Sequence, residues 1–394
     1  MANRKSRTLA NTVITPMTLS TSFFFDNTGH VRSYQAGNTD LGRYGRYDNP
    51  NWREAEESLA NLEAMEEALL FPSGMSAISS LVMAYVQQGE SIIYTRIGYR
   101  NIYALFQEFL PRYGVVTHGI RQADQEQFKD EFLKLYNDKC KIVFIEAPSN
   151  PHFYMVDLNF IRRVIDPTKT LCVVDSTFAS PVNFQPVGFG ADIVVHSCTK
   201  YLCGHGDLMA GCVMGRSDLI EPIRRYRDVN GCIPSPFTAY LLQRSLPTLA
   251  LRMKQYNVNG EIIARYLEGH PRVKKVFYIG LASHPHHNLA QQYLKGYGGV
   301  ISFEIYGDET IASQFVDALN RPFMGTNFGT ALPMVEQCSV FTYYKLTAQE
   351  RKEIGVSDTL IRLSLGLEDA QDMIADLEQA FRQIDARQAE VGVS

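Results

Sequence analysis

Apolar positions along the chain follow two periods. Between residues 53 and 72, Ala55, Leu59, Leu62, Met65 and Leu69 recur every three or four positions, with Glu56, Glu57, Glu63 and Glu66 off that stripe. This predicts one amphipathic helix ending at Pro72. The period then changes. Short runs at 92–93, 115–116, 142–145, 172–174 and 193–195 are β-branched and apolar at consecutive positions, with stretches between them long enough for crossover helices. Strands apolar on both faces are buried on both faces, so an α/β fold is expected, its mostly parallel sheet covered by helices. From residue 251 the pattern is helical at 256–267, 311–318 and 372–384 around one strand at 300–305. The expected organisation is an extended arm over 1–52, rich in Thr, Ser, Asn, Gly and Tyr, a large domain over 53–250, and a smaller C-terminal α+β domain over 251–394 after a long connecting helix.

Composition narrows the classes. With 394 residues, 45% apolar and 20% charged, the chain has room for two or three domains of about 100–200 residues each. A net charge of −4 carries no electrostatic footprint for nucleic acid or an anionic membrane. Apolar runs such as 81–86 fall far short of the roughly 18 residues that span a bilayer. Arg4, Lys5 and Arg7 are followed by polar-broken sequence rather than the apolar core of a signal peptide. The seven cysteines are odd in number, lack a C-x-x-C pair and sit mostly in apolar runs, as reduced packed thiols do. A cytoplasmic enzyme is expected.

The chemistry gathers at two strand ends. The run at 193–195 feeds into His196-Ser197-Cys198-Thr199-Lys200-Tyr201, and the run at 172–174 ends in Asp175-Ser176-Thr177-Phe178. Ligands of open α/β sheets sit at the carboxyl ends of strands. A lysine and an aspartate delivered to one such crevice suit pyridoxal 5′-phosphate, the lysine as Schiff-base amine and the carboxylate holding the pyridine nitrogen protonated. Cys198, Cys203, His205 and Asp207 match no standard zinc spacing, so no metal is expected. Gly204-His205-Gly206 is too short a signal for a nucleotide loop.

Several separate motifs point the same way. They are Tyr44-Gly45-Arg46-Tyr47-Asp48-Asn49-Pro50, Ser73-Gly74-Met75, Glu146-Ala147-Pro148-Ser149-Asn150-Pro151, Asp175-Ser176-Thr177-Phe178, Ser197-Cys198-Thr199-Lys200-Tyr201 and Leu360-Ile361-Arg362-Leu363-Ser364-Leu365-Gly366-Leu367-Glu368-Asp369. In order and spacing, over residues 44–380, they resemble the cystathionine γ-synthase/γ-lyase family of pyridoxal-phosphate enzymes, also called the Cys/Met-metabolism family. The resemblance implies an aspartate-aminotransferase-like fold of type I, with 53–250 binding the cofactor. It implies Lys200 as the Schiff-base lysine, Asp175 and Thr177 beside the ring, and Ser73, Gly74, Met75, Ser197 and Thr199 around the phosphate. Tyr99 would stack on the ring, serve proton traffic with the leaving group and count with Lys200 and Asp175 as catalytic. Asn150 would approach both cofactor and substrate carboxylate, and Arg362 would clamp that carboxylate. Tyr44 and Arg46 would reach the active site of a neighbouring subunit, making the protein at least a dimer and, by family habit, a tetramer; Tyr44 would also touch substrate. An alternative for Arg362 is an ion pair with Glu368 or Asp369. His284-Pro285-His286-His287 resembles the family's S-H-P-x-H loop and is expected at the surface.

Departures fall where substrates are chosen. Tyr99 is followed by Arg100-Asn101-Ile102 in place of small residues, and Ser176 stands for the usual asparagine. The family's S-L-G-G-x-E-S-L becomes Asn327-Phe328-Gly329-Thr330-Ala331-Leu332-Pro333-Met334, so Asn327 takes the place of a carboxylate-binding serine and Leu332 that of an acid. The resemblance therefore implies γ-elimination or γ-replacement on an L-α-amino acid, by a specialised γ-lyase whose altered pocket takes side chains such as canavanine or halogenated allylglycine. Alternatives are a cystathionine or cysteine β-lyase, an O-acetylhomoserine sulfhydrylase and a non-catalytic regulatory homologue.

Overall fold

The computed structural model describes residues 12–37 and 43–392, so the basic start at residues 4–11 lies outside the described residues. The helix Pro50–Glu63 begins where Asn49 caps the N–H of Asn51 and Pro50 takes the first helical position, whose N–H would have no partner anyway. It ends earlier than the periodicity predicts. Ala64 turns left-handed at φ 56°, and Glu67–Phe71 continues as strand β1. Leu69 is thus a strand residue, because the continuous apolar run from Ala68 to Phe71 fits a buried strand as readily as a helical face.

Strand β1 joins β2 (Ser91–Thr95), β3 (Val116–Ile120), β4 (Cys140–Glu146), β5 (Leu171–Asp175), β6 (Ile193–Ser197) and β7 (Gly211–Gly215) in a seven-stranded sheet ordered β1-β7-β6-β5-β4-β2-β3. Only β7 runs antiparallel to its neighbours; β6, β5, β4, β2 and β3 pair in parallel. Alternate residues explain the apolar runs. Val143, Ile145, Val174 and Val194 pack on one face with Trp52, Ala55 and Leu59, whereas Ile142, Val173, Ile193 and Val195 pack on the other with Ile78, Leu81 and Val82 of the helix Gly74–Tyr85.

The long helix Leu249–Glu268 leads to a second sheet of β8 (Val273–Phe277), β9 (Val300–Ile305), β10 (Phe323–Met324), β11 (Met334–Gln337) and β12 (Leu360–Ser364), ordered β10-β11-β12-β9-β8. Helices Glu309–Ala318 and Ala370–Gly392 close its core through Phe315, Leu377 and Phe381. In the arm, a helix at Thr28–Gln35, capped by Asn27, interrupts the stretch read as extended. The arm is tied to the domain where Thr18 N–H donates to Asn51 Oδ1 at 2.8 Å and Asn49 Nδ2 to Thr18 O at 2.9 Å. No helix among the described residues is long and apolar enough to cross a membrane.

The histidine loop is not a surface connection. His284 and His286 are buried, and their rings bond to backbone: His284 Nε2 to His152 O at 2.8 Å, His286 Nε2 to Ala123 O at 3.0 Å. Backbone acceptors turned inward here need donors, which a neutral imidazole supplies. Burial pushes the imidazoles of His152 and His284 down to about 4, and that of His286 down as well. The unfolded chain binds protons on these rings near their ordinary value of 6.5, while the folded chain holds them neutral, so unfolding takes up protons in that interval. Stability is therefore fully present above about pH 6.5 and falls as the pH drops toward 4. Thermal melts across this window are expected to fall steadily, and His284→Asn to flatten the slope; equal slopes would refute the assignment.

Candidate active site

A cavity of about 400 Å³ opens at the carboxyl ends of β4, β5 and β6. Cross-strand register sets Glu146 opposite Asp175 and Asp175 opposite Val195, so the ends of the three strands deliver their polar residues to one place. The walls include Ser73, Gly74, Met75, Tyr99, Asn150, Asp175, Thr177, Ser197, Thr199, Lys200 and Arg362.

One end of the cavity is a helix start. Ser73 Oγ caps the N–H of Ser76 at 3.1 Å and Ser73 O accepts from Ala77 at 3.0 Å, leaving the N–H groups of Gly74 and Met75 for an external acceptor. Strand β7 passes directly beneath: a Cβ on Gly211 would lie 2.4 Å from Ser73 O, which only glycine avoids. Ser197 and Thr199 line the same side, the Thr199 hydroxyl donating to Ala210 O at 3.2 Å and accepting from Ala210 N–H at 3.1 Å.

Lys200 follows in the turn after β6. Its Nζ donates to Asn327 Oδ1 at 2.5 Å and lies 4.8 Å from the centre of the Phe328 ring, itself stacked on Phe178. Burial, then the neighbouring Arg362, push this amine down to about 8, with Glu336 acting the other way. A fraction of it is therefore neutral near physiological pH.

Asp175 Oδ1 accepts both the N–H of Thr177 at 3.0 Å and its hydroxyl at 2.5 Å, and that hydroxyl oxygen accepts in turn from Ser197 N–H at 2.9 Å. Burial pushes the Asp175 carboxyl up, opposed by Thr177 and His196. Beside it, Glu146 accepts from the backbone N–H groups of Tyr99 at 2.7 Å and Asn150 at 2.8 Å. Burial and then the charge of Asp175 push Glu146 up as well.

Arg362 enters from the second sheet. Nη1 donates to Asn150 Oδ1 at 2.8 Å and Nη2 to Thr326 O at 2.7 Å. Its acid partner is Glu336 on β11, with Oε1 at 2.7 Å from Nη2. Glu368 and Asp369 are engaged elsewhere, Glu368 with Gly366 N–H and Asp369 with Gln371 N–H, so the ion pair considered for them does not form.

The donor set fits pyridoxal phosphate. Two helix-start N–H groups and the Ser197 hydroxyl suit its phosphate, with Thr199 beside them, and the Lys200 amine suits its aldehyde. Asp175 Oδ2, left unoccupied by Thr177, suits a ring N–H, whose positive charge would compensate the buried carboxylate.

Not every candidate reaches the cavity. Tyr44 and Arg46 do not line it; the Arg46 guanidinium donates to Asp228 O and lies over the rings of Tyr47 and Tyr44. Asn327 contributes its amide oxygen to Lys200, while the exposed Leu332 lines no part of the cavity. Asn101 Nδ2 donates to the Tyr99 hydroxyl at 3.2 Å, so the residues replacing the small ones after Tyr99 give it a partner. Two buried acids, Glu146 and Glu336, carry no role in the sequence reading. The first stood at the end of an apolar strand, the same signal that marked Asp175; the second had no local signal.

Thr177→Val removes one donor and one acceptor from buried partners, and a buried polar group left unpaired costs about 1–3 kcal/mol. The urea midpoint is expected to fall by a corresponding amount with an unchanged slope; an unchanged midpoint would show that the bridge contributes nothing.

Residues 1–382 match the sequence model of the family described as Cys/Met metabolism PLP-dependent enzyme. The chain is 37% identical over 379 residues to cystathionine gamma-synthase 1, chloroplastic, of Arabidopsis thaliana, covering 95% of this chain and 66% of that protein. It is 33% identical over 381 residues to L-methionine gamma-lyase of Fusobacterium nucleatum subsp. nucleatum, covering 96% and 95%. The crystal structure of cystathionine gamma synthase from Xanthomonas oryzae pv. oryzae in complex with cystathionine superposes with a TM-score of 0.89 at 32% identity, over 97% of this chain and 98% of that one.

Proposed function

Because the chain belongs to the Cys/Met metabolism PLP-dependent enzyme family, we propose that it eliminates or replaces a leaving group at the γ-carbon of an L-α-amino acid. The observation that carries this reading is the convergence of Lys200, Asp175 and Arg362 on one cavity. Relatives named for γ-synthase and γ-lyase activities support reaction at the γ-carbon. Asn327, against Lys200, supports a substrate outside the common set, with an oxyguanidino or halogenated side chain among the candidates.

Pyridoxal phosphate, when bound, supplies an electrophilic aldehyde for the substrate amine and a ring that accepts electrons from Cα. The chain supplies the rest. Gly74 and Met75 N–H with Ser197 and Thr199 would hold the phosphate, and Asp175, braced by Thr177, would keep the ring nitrogen protonated. Tyr99 would cover the ring. Lys200 would carry the cofactor between turnovers; released by the substrate amine, it would take the Cα proton, for which a lowered amine is suited. Arg362 and Asn150 would fix the α-carboxylate, so that the Cα–H bond faces Lys200, and the free amide nitrogen of Asn327 would add a donor. Tyr44 and Arg46, outside their own cavity, are assigned to the site of a second copy, which makes the working unit at least a dimer.

A panel of amino acids carrying O-acyl, O-phospho, thioether, halogen or oxyguanidino groups at Cγ tests this, with products identified by mass spectrometry. Formation of 2-oxobutyrate, or of a product in which a nucleophile has replaced the γ-substituent, is expected. Pyruvate from cystathionine, the one thioether in the panel that can also break at Cβ, with no product from the other members, would mean β-elimination and overturn the reading. Lys200→Ala is expected to lower turnover by a factor of at least about 10².

A further inference from the structure

Arg362 and Glu336 face each other across the β11–β12 ladder, and both are buried. Glu336 Oε1 lies 2.7 Å from Arg362 Nη2, and Oε2 accepts from Thr342 Oγ1 at 2.6 Å. Arg362, Asn150, Thr326 and Thr342 line the cavity; Glu336 stands behind that wall. The guanidinium does not depend on Glu336 for its position alone, since Asn150 Oδ1 and Thr326 O hold it from two sides. What Glu336 adds is a full negative charge in contact with the group read as the carboxylate clamp. A carboxylate arriving at Arg362 would meet a guanidinium already in contact with a second, buried carboxylate.

We propose that Glu336 is a specificity-determining residue that offsets the charge of Arg362, so that the clamp holds a free α-carboxylate weakly and admits α-amino compounds whose carboxyl is neutral, such as amides and esters. This rests on the reading of Arg362 as the clamp. In that arrangement the Arg362–Glu336 pair is neutral as a unit. The guanidinium still donates hydrogen bonds to an incoming carbonyl or carboxylate oxygen, yet it contributes little net attraction for a negative charge. Removing the Glu336 charge while keeping its shape leaves Arg362 on Asn150 and Thr326 and makes it an unpaired cation facing the cavity. Such a cation binds an external carboxylate more tightly, because that carboxylate then relieves the cost of a buried charge without a partner.

The test titrates the cofactor-loaded protein with L-norvaline, an α-amino acid with no leaving group, and with L-norvalinamide, following the visible absorption of the bound cofactor. In the parent protein the two affinities are expected to lie within about tenfold of each other. Glu336→Gln is expected to tighten L-norvaline by about tenfold or more and leave L-norvalinamide within about twofold. Glu336→Met serves as a second charge-removing variant if the first fails to fold. Glu336→Asp, which retains the charge, is expected to stay within about threefold of the parent. The affinity of the cofactor-free variants for pyridoxal phosphate should be unchanged, since Glu336 lines no part of the cavity. Weaker L-norvaline binding in Glu336→Gln, or equal change for both ligands, would overturn the proposal and leave Glu336 a structural partner. Arg362→Lys separates the two levels: if it leaves L-norvaline binding intact, the clamp reading fails and the proposal with it. If it weakens L-norvaline while Glu336→Gln changes nothing, the proposal alone fails.

Discussion

Lys200 and Arg362 share one crevice with Asp175 and Glu146, Glu336 stands behind its wall, and a buried charge persists only where a partner meets it. The bonding around the crevice answers to that constraint. Asp175 rests on Thr177, Glu146 on the backbone N–H groups of Tyr99 and Asn150, Arg362 on Asn150, Thr326 and Glu336, and Lys200 on Asn327. Each support also fixes a neighbour. The bonds to Glu146 orient the backbone at Tyr99 and Asn150, and Asn150 in turn holds Arg362, so a disturbance at one acid is felt at the substrate clamp. Lys200 differs from the others: its partner is neutral, and burial, then the neighbouring Arg362, push its amine down.

The sheet makes this concentration of charge possible. Parallel strands bring their carboxyl ends to one edge, where the chain leaves β4, β5 and β6 as irregular backbone able to donate inward. Reversed β7 runs beneath the helix start at Gly74, with Gly211 allowing the close approach, and so brings that helix start beside Ser197 at the end of β6. The second sheet supplies Arg362 and Glu336 at facing positions of adjacent strands, which brings their charged groups within 2.7 Å.

What the sequence disclosed follows from the range of the interactions. Lys200, Asp175, Ser73 and Arg362 stand in short strings beside apolar runs, and a strand end with polar residues can be read locally. The central strands were legible for the same reason, since burial on both faces leaves consecutive apolar residues. Strands β1 and β7 were not. In β1 the spacing of Met65 and Leu69 mimicked a helix across the break at Ala64, and β7 holds only Cys212, Val213 and Met214 between glycines. Glu336 was invisible because its meaning lies in cross-strand register with Arg362, which no local pattern encodes. The inward turn of His284 and His286 was hidden likewise, for their partners are backbone carbonyls of His152 and Ala123 far away along the chain. Tyr44 and Arg46 resemble cofactor-contacting residues, yet in one chain they do not line its cavity, and Arg46 is held by Asp228 O instead.

Borohydride reduction of the cofactor-loaded protein, followed by peptide mapping, tests the central claim most directly, because it fixes a vitamin B6 aldehyde to whichever amine carries it. The account predicts a single tagged peptide with the label on Lys200. A label on another lysine, or none, would contradict it.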